Sequence, residues 1–327
     1  MTSEFELIDR IRQRVSGKDG VRVGIGDDAC VLEPSPNKQL VCTTDSIVLD
    51  RHFTDAWAAS EIGHLAMAVN LSDLAAMGAK PRWALLSLTL PNHAPWTDTA
   101  WLDEFLDGFL AVDPNVVLAG GNMASGPLNI GACLFGEVDS GQAIGRSGAE
   151  AGDALVVTGH LGDVAGAMAL PNNRQARNTP LCTRMKHPTP RLEVGQQAWG
   201  FVHAMIDISD GLLADLGHLL AASSKATTES VGAIVWLDKL PASQALTEAF
   251  DDNECRWSLQ LSGGSDYELL MSVPQNKLDA WLHRVDQAGV PACVIGEVTA
   301  SAGIAVLKPN GQPFASPGRG WDHFQSP

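Results

Sequence analysis

Positive charge is scarce in this sequence. The 327 residues include 38 Asp and Glu but only 22 Lys and Arg, so the formal net charge is −16 with His counted as neutral. A field of that sign repels nucleic acid and anionic membranes, and no basic run interrupts it. We therefore expect no nucleic-acid partner and no membrane. The ligands that this charge favours are cations, or anions that arrive together with cations.

Long apolar runs and paired cysteines are also missing. No stretch approaches the roughly 18 consecutive apolar residues of a membrane-spanning helix. Glu4 and Glu6 stand where a secretory signal carries positive charge ahead of an apolar core. The six cysteines form no CxxC pair, and we expect them to be buried thiols in a reducing compartment. These absences predict a cytoplasmic protein.

The apolar residues that are present are sufficient for two cores. Hydrophobic residues make up 45% of the chain and charged residues 18%, which excludes general disorder. A length above 300 residues favours two domains. A polar, glycine-rich seam at 145–159 leads into a new apolar strand, so we place the domains at 1–146 and 147–327. Helical and strand periods alternate in both halves, which predicts an α/β or mixed α+β fold.

Hydrophobic periodicity predicts many individual elements. An amphipathic N-terminal helix would carry Phe5, Ile8, Ile11 and Val15 on one apolar face, and the polar segment 171–180 would be a loop. Further helices are predicted at 57–77, 101–110, 162–170, 190–199, 211–221 and 275–288. Strands are predicted at 40–45, 82–90, 115–119, 128–138, 154–157, 232–237, 267–273 and 291–298.

Short acidic motifs recur where these elements end. They are GIGDDA (24–29), TTDS (43–46), NLSD (70–73) and IDISDG (206–211). Carboxylates that converge on one site repel each other until a divalent cation neutralises them, and oxygen ligands of this kind suit Mg²⁺. The alternative is that each Asp caps a helix or a turn. A single motif favours the cap, whereas four similar motifs in one acidic chain favour metal.

Glycine pairs offer a second indication of ligand binding. They precede Asn122 and Ser265, and Gly24 and Gly26 precede Asp27. Glycine lets the backbone approach phosphate oxygens closely, although each pair also suits a tight turn. No GxxxxGK[ST], GxGxxG or GxSxG motif occurs, so a P-loop is excluded.

Three single residues have both a functional and a structural interpretation. Arg146 suits an ion pair with phosphate or a solvated position at the seam. His52 suits a ligand contact or a packed position beside Phe53. Trp321 suits stacking on a flat ring or ordinary packing.

Taken in order, the motifs resemble one enzyme family. GIGDDA, TTDS, AVNLSDLAAMGAKP, GRSGAEAGD, DISDGLLADLGHL, LSGGSDYEL and WDHF follow the order seen in the thiamine-monophosphate kinase family. The resemblance covers about residues 4–324, and it extends to the aminoimidazole ribonucleotide synthetase-like superfamily. It implies an N-terminal α/β domain that pairs in a dimer through a β-barrel, followed by a C-terminal α/β domain.

The resemblance also implies the reaction and its residues. A homodimer would transfer the γ-phosphoryl group of ATP to thiamine monophosphate and form thiamine diphosphate. Asp45 and Asp210 would act most directly in catalysis. The Mg²⁺ ligands that the family pattern implies are Asp28, Thr43, Thr44, Asp45, Asp73, Asn122, Asp207 and Asp210. Contacts to ATP would come from Gly121, Asn122, Arg146 and Ser209, and contacts to the thiamine substrate from His52, Ser265 and Trp321.

The chain departs from the family pattern at the site. Asn122 stands in GGNMASG where the family has a metal-binding Asp, and Ser265 stands where the family has Glu. Val164 also replaces a Ser. Losing one ligand or one substrate contact costs roughly 10²–10³ in rate. Two alternatives therefore remain: a kinase of the same fold with another acceptor, and a weakened or purely nucleotide-binding homologue.

Overall fold

The computed structural model describes residues 4–15, 19–171, 179–227 and 230–315. It divides into two compact units. The N-terminal unit comprises Met1–Leu74 and Ala79–Ala143, and the C-terminal unit comprises Ala75–Gly78 and Ile144–Pro327. Each unit has its own main β-sheet. Across the described ranges, no helix combines the length and the apolar character needed to cross a membrane.

The N-terminal unit is built on a sheet of four strands in the order β3-β6-β4-β5. Strands β4 and β5 are parallel, and the other two pairs are antiparallel. Its helices are α1 (Glu4–Arg14), α2 (Ala59–Ala76, whose last two residues belong to the C-terminal unit) and α3 (Thr99–Ala111). Its strands are β1 (Val21–Val23), β2 (Val31–Leu32), β3 (Lys38–Val48), β4 (Lys80–Leu90), β5 (Val117–Ser125) and β6 (Asn129–Asp139). The described residues of this unit form an open sheet with β3 and β5 at its edges, and no closed barrel.

The C-terminal unit is built on six strands in the order β12-β9-β11-β7-β10-β8. Its helices are α4 (Asp163–Ala169), α5 (Pro180–Lys186), α6 (Leu192–Gln197), α7 (Leu212–Thr227), α8 (Gln244–Ala249), α9 (Asn253–Ser262) and α10 (Gln275–Gln287). Its strands are β7 (Ala154–Thr158), β8 (Ala204–Asp207), β9 (Gly232–Trp236), β10 (Leu269–Val273), β11 (Ala292–Thr299) and β12 (Gly303–Leu307). Among the strands described in this unit, only β9 and β12 pair in parallel.

Both faces of this second sheet are covered. Leu155 and Val157 of β7 lie in one apolar cluster with Leu216 of α7. Val156, between them, lies in a second cluster with Trp281 of α10. Because side chains alternate along a strand, the two clusters occupy opposite faces of the sheet. Helices therefore cover both faces, which makes the unit a three-layered α/β structure.

Most of the predicted elements are confirmed with shifted ends. The helix predicted at 57–77 is α2, and the strands predicted at 82–90 and 128–138 are β4 and β6. Periodicity detects short helices unevenly, because they contain few turns. Helices α4 and α6 were predicted, whereas α5, α8 and α9, of seven, six and ten residues, were not. Of the predicted loop at 171–180, residues 172–178 lie outside the described residues, and Pro180 already begins α5.

Two expectations, the apolar face of α1 and the burial of the cysteines, are wrong in part. In α1 the buried residues are Leu7 and Ile11, whereas Ile8 is only half-buried and the side chain of Phe5 lies outside the described residues. None of the six cysteines forms a disulfide, but Cys42 and Cys255 are exposed rather than buried. Cys42 lies on an edge strand, and Cys255 lies in the first turn of a surface helix, so neither position excludes solvent.

Candidate nucleotide and metal site

Two predicted Mg²⁺ ligands contact each other in the N-terminal unit. The hydroxyl of Thr43 on β3 donates a hydrogen bond to Asp73 Oδ2 on α2, with 2.5 Å between the oxygens. Side chains alternate along a strand, so Asp45 lies on the same face of β3 as Thr43. The exposed carboxylate of Asp45 therefore lies on the strand face that is turned towards α2. Thr43 and Asp45 therefore lie on one face of β3, and Asp73 of α2 lies against that face.

A buried amide fixes α2 against that strand. The Asp45 main-chain N–H donates to Asn70 Oδ1 at 2.9 Å, and Asn70 Nδ2 donates to the carbonyl of Ala66 at 3.0 Å. Asn70 and Asp73 are three residues apart, so they share a face of the helix. Asn70 therefore sets the position of Asp73 relative to β3. The sequence prediction missed this residue, although a single amide in an apolar helix was a visible signal.

Three other predicted residues of this unit lie elsewhere on the sheet. Thr44 points to the opposite face of β3 from Thr43, and its hydroxyl donates to the carbonyl of Ala132 at 3.0 Å. Asn122 is exposed on β5 and pairs in register with Ser87 of β4. A Cβ atom on Gly121 would lie 1.9 Å from the Leu86 carbonyl oxygen, so the approach of β5 to β4 requires glycine whether or not a ligand binds.

Asp28 and His52 occupy exposed or partly exposed connections. Asp28 is exposed, and its N–H donates to Asp27 Oδ1 at 2.9 Å. His52 follows β3, where its Nδ1 accepts the N–H of Val48 at 2.9 Å. Nδ1 therefore carries no proton in this arrangement. The bond closes the turn after β3, which gives His52 a structural role beside any contact with substrate.

In the C-terminal unit, three predicted residues lie at the end of β8 and in the loop that follows it. Asp207 is buried at the end of the strand, and Ser209 and Asp210 follow half-buried. Asp215, which the sequence prediction missed, lies in the first turn of α7 and is only 2% exposed. Its Oδ2 accepts the main-chain N–H groups of Ser209, Asp210 and Gly211 at 3.0, 3.1 and 3.1 Å. Burial and the charge of Asp210 raise the pKa of Asp215 to about 7, and the three N–H groups act in the opposite direction.

A second loop packs against this one. The N–H of Ser265 donates to the carbonyl of Ser209 at 2.7 Å, and the N–H of Tyr267 donates to the carbonyl of Ile208 at 2.8 Å. The N–H of Ile208 in turn donates to the carbonyl of Glu268 at 2.8 Å. Ser265 and Tyr267 have φ values of 65° and 51°, a left-handed conformation that is uncommon outside glycine. The structure thus places the predicted substrate residue Ser265 beside the predicted ATP residue Ser209.

Glu268 anchors the end of that second loop. It is 1% exposed and accepts Arg191 Nε at 2.6 Å, Arg191 Nη2 at 2.6 Å, Arg184 Nη2 at 2.6 Å and the Thr158 hydroxyl at 2.7 Å. Such a buried carboxylate is stabilised by its charged partners. The sequence shows the acid in SDYEL but gives no sign of its partners, which lie more than 70 residues away.

Asp266 and Asp163 extend this polar cluster. Both carboxylate oxygens of Asp266 accept the N–H of Gly162, at 3.1 and 3.0 Å. Burial raises the pKa of Asp266 well above its ordinary value. Burial likewise raises the pKa of Asp163, although a hydrogen bond from Ser243 opposes that shift. The cluster therefore joins the 263–267 loop to the start of α4.

Two predicted contacts remain to be placed. Arg146 is exposed in the C-terminal unit, and its carbonyl accepts the Ser223 hydroxyl at 3.4 Å. Trp321 lies outside the described residues.

The donor set fits Mg²⁺ in its chemistry. The side chains of Thr43, Asp45 and Asp73 offer only oxygen, which is the donor that Mg²⁺ prefers. Among the described residues, no three or more His, Cys, Asp or Glu side chains form a group that could hold a metal ion. The full ligand set therefore stays a prediction, with the pair Thr43 and Asp73 as its observed contact.

Comparisons with known proteins place this geometry in a family. Residues 26–138 match the family described as AIR synthase related protein, N-terminal domain, and residues 150–308 match the corresponding C-terminal domain. The chain is 39% identical over 333 residues to the thiamine-monophosphate kinase of Salmonella typhimurium, covering 99% of both chains.

Solved structures give the same result. The crystal structure of thiamine-monophosphate kinase from Stenotrophomonas maltophilia is 40% identical with a TM-score of 0.83, over 95% of this chain and 98% of that one. A structure described as AaThiL complexed with AMPPCP and TMP is 30% identical with a TM-score of 0.75, over 98% of this chain and 97% of that one.

Proposed function

We propose that this chain, which belongs to the thiamine-monophosphate kinase family of AIR synthase related proteins, transfers the γ-phosphoryl group of ATP to thiamine monophosphate. The products are thiamine diphosphate and ADP. The observation that carries the proposal is the similarity, over 98% of the chain, to a protein solved with AMPPCP and TMP bound together. AMPPCP is an ATP analogue, so that relative holds a nucleotide and an acceptor at the same time.

Mg²⁺ is the cation that we assign to the site. Thr43, Asp45 and Asp73 would hold one ion on the face between β3 and α2. The family pattern implies several ions, and its other ligands, Asp28, Thr44, Asn122, Asp207 and Asp210, would hold the rest; Thr44 points to the opposite face of β3 and so would not contact the first ion. When bound, Mg²⁺ neutralises charge on the ATP phosphates, which is the main requirement of phosphoryl transfer. Asn70 holds Asp73 in place relative to Asp45.

The remaining residues bind and orient the two substrates. Arg146 and the hydroxyl of Ser209 would contact ATP, and Gly121 and Asn122 would line its path on β5. A guanidinium offers several donors in a plane, so an exposed Arg146 suits bidentate contact with phosphate. His52, Ser265 and Trp321 would contact thiamine monophosphate. The acceptor phosphate is already ionised at neutral pH, so the reaction needs no dedicated base.

A cytoplasmic homodimer is the assembly that we propose. Residues 1–146 would form the ATP- and Mg²⁺-binding and dimerisation domain, and residues 147–327 the C-terminal domain. The open sheet of the N-terminal unit, with Leu40 47% exposed on its edge strand β3, supports pairing into a β-barrel across two copies. Light scattering on Leu40→Glu should report monomers, whereas Met168→Glu, exposed in the other unit, should remain dimeric.

A second candidate is a kinase of the same fold with another acceptor. Ser265 favours it, because this half-buried residue with positive φ lies where the family has Glu. A panel of small phosphorylated acceptors with Mg-ATP separates the candidates. An exclusive preference for thiamine monophosphate would rule the second candidate out.

The test of the main proposal is a product assay. Purified protein, Mg-ATP and thiamine monophosphate should yield thiamine diphosphate, and Asp73→Ala should reduce the rate by roughly 10²-fold or more. Asp279→Ala, at an exposed aspartate of α10, is the matched control and should leave the rate unchanged. Product no greater than with Asp73→Ala would contradict the proposal. Asn122→Asp with Ser265→Glu tests whether the two departures limit the rate.

A further inference from the structure

Asp215 occupies the position at which an anion would bind. One of its oxygens accepts three consecutive main-chain N–H groups, from Ser209, Asp210 and Gly211, at 3.0 to 3.1 Å. These groups precede α7, and the amides at the start of a helix commonly bind phosphate oxygens. Here the acceptor is a carboxylate of the chain itself, and it is buried.

The neighbouring amide is also engaged. The N–H of Ile208 donates to the carbonyl of Glu268 at 2.8 Å. Four consecutive amides, Ile208 to Gly211, thus have acceptors within the chain. The loop retains two groups that can reach a nucleotide or its cation, the hydroxyl of Ser209 and the carboxylate of Asp210, which belong to half-buried residues.

We propose that Asp215 is a positioning residue of the nucleotide site, an inference that rests on the proposed kinase function. It fills the amide pocket before α7, so this loop binds the nucleotide through the Ser209 hydroxyl and through the cation at Asp210 rather than through main-chain amides. The same three bonds hold the main chain from which both side chains project. The loop therefore works in the opposite way to a P-loop, whose amides surround the phosphates directly.

Ser209 variants distinguish the two kinds of contact. Ser209→Ala removes the hydroxyl and keeps the amide, so we expect about tenfold weaker binding of AMPPCP with excess Mg²⁺, measured by calorimetry on the full chain. Ser209→Thr keeps a hydroxyl and should bind within about threefold of the wild type. Wild-type affinity in Ser209→Ala would mean that the amide makes the contact, and would overturn the proposal.

Asp215→Asn tests the positioning role. The neutral amide accepts these three bonds less well, so we expect about tenfold weaker binding at a temperature where the variant is folded. Asp252→Asn is the matched control, because Asp252 also accepts an N–H at the start of a helix in this unit, from Cys255 at 3.0 Å. It should bind as the wild type does.

A double-mutant cycle separates positioning from a general loss of stability. If Asp215 acts by placing the Ser209 hydroxyl, then Ser209→Ala should cost less than about threefold in the Asp215→Asn background. Additive losses would overturn the proposal. If Asp215→Asn does not fold, the Ser209 pair alone decides, since it leaves the bonds to Asp215 in place. A wild-type chain that does not bind AMPPCP at all would instead refute the proposed function.

Discussion

Replacing Glu268 with Gln should strongly destabilise the C-terminal unit. The substitution preserves size but removes the charge that faces Arg184 and Arg191, and it turns an NH₂ group towards arginine donors. Glu268 is 1% exposed, and each arginine side chain is 17% exposed, so water can do little to replace the lost ion pairs. Breaking a buried ion pair on one side costs about 3–5 kcal/mol. For a unit of this size, that loss lowers Tm by roughly 6–20 °C.

The assay is thermal and urea unfolding of Glu268→Gln beside Glu254→Gln. Glu254 also forms an ion pair, with Lys308 at 2.6 Å, but its side chain is 59% exposed, so its loss should cost less than about 1 kcal/mol. Adding Arg191→Gln to Glu268→Gln should cost less than the same change in the wild type, because its partner is already lost. Equal stabilities of Glu268→Gln and Glu254→Gln would refute the assignment of Glu268 as the anchor of the 263–267 loop.

Two further substitutions test the packing behind the site. Asn70→Ala removes the acceptor of the Asp45 N–H and the donor to Ala66, both in a buried setting, so urea unfolding should show a loss of about 1–3 kcal/mol and the kinase rate should fall with it. Unchanged stability would mean that the amide does not fix α2. Asp266→Asn tests the raised pKa of Asp266. A raised pKa in the folded state means that the stability from this group is full below the unfolded pKa and is lost as pH rises through the folded pKa. Between about pH 4 and about pH 8, the free energy of unfolding of the wild type should therefore fall relative to that of Asp266→Asn, whose side chain is neutral throughout. A difference between the two proteins that stays constant with pH would contradict this expectation.

The elements that hold the site were largely predictable, because their signals are local. The long apolar run of α2 and the strand before it, β3, follow from local sequence pattern, and the NLSD motif placed Asp73 on that helix. The role of Asn70 did not follow. Its acceptor oxygen pairs with Asp45, 25 residues earlier, and no local pattern reports such a contact.

The C-terminal half of the site shows the same limit more strongly. DISDGLLAD was recognised as a motif, but Asp215 reads as an ordinary acid in the first turn of a helix. Three main-chain N–H groups of the preceding loop donate to its carboxylate, and only the folded structure shows these bonds. Glu268 binds Arg184 and Arg191, which lie 84 and 77 residues away in the sequence. Periodicity does not predict contacts at such separations. The acidic motifs and the family resemblance thus supplied the candidate ligands, whereas the residues that position them depend on long-range packing.

The most direct test of the proposed kinase function follows both substrates in one sample. Phosphorus NMR of the purified protein with Mg-ATP and thiamine monophosphate should show thiamine diphosphate and ADP appearing in equal amounts as ATP and thiamine monophosphate disappear. Removing Mg²⁺ with a chelator should stop both changes. ATP converted to ADP and free phosphate while thiamine monophosphate stays unchanged, or no change in either compound, would contradict the account.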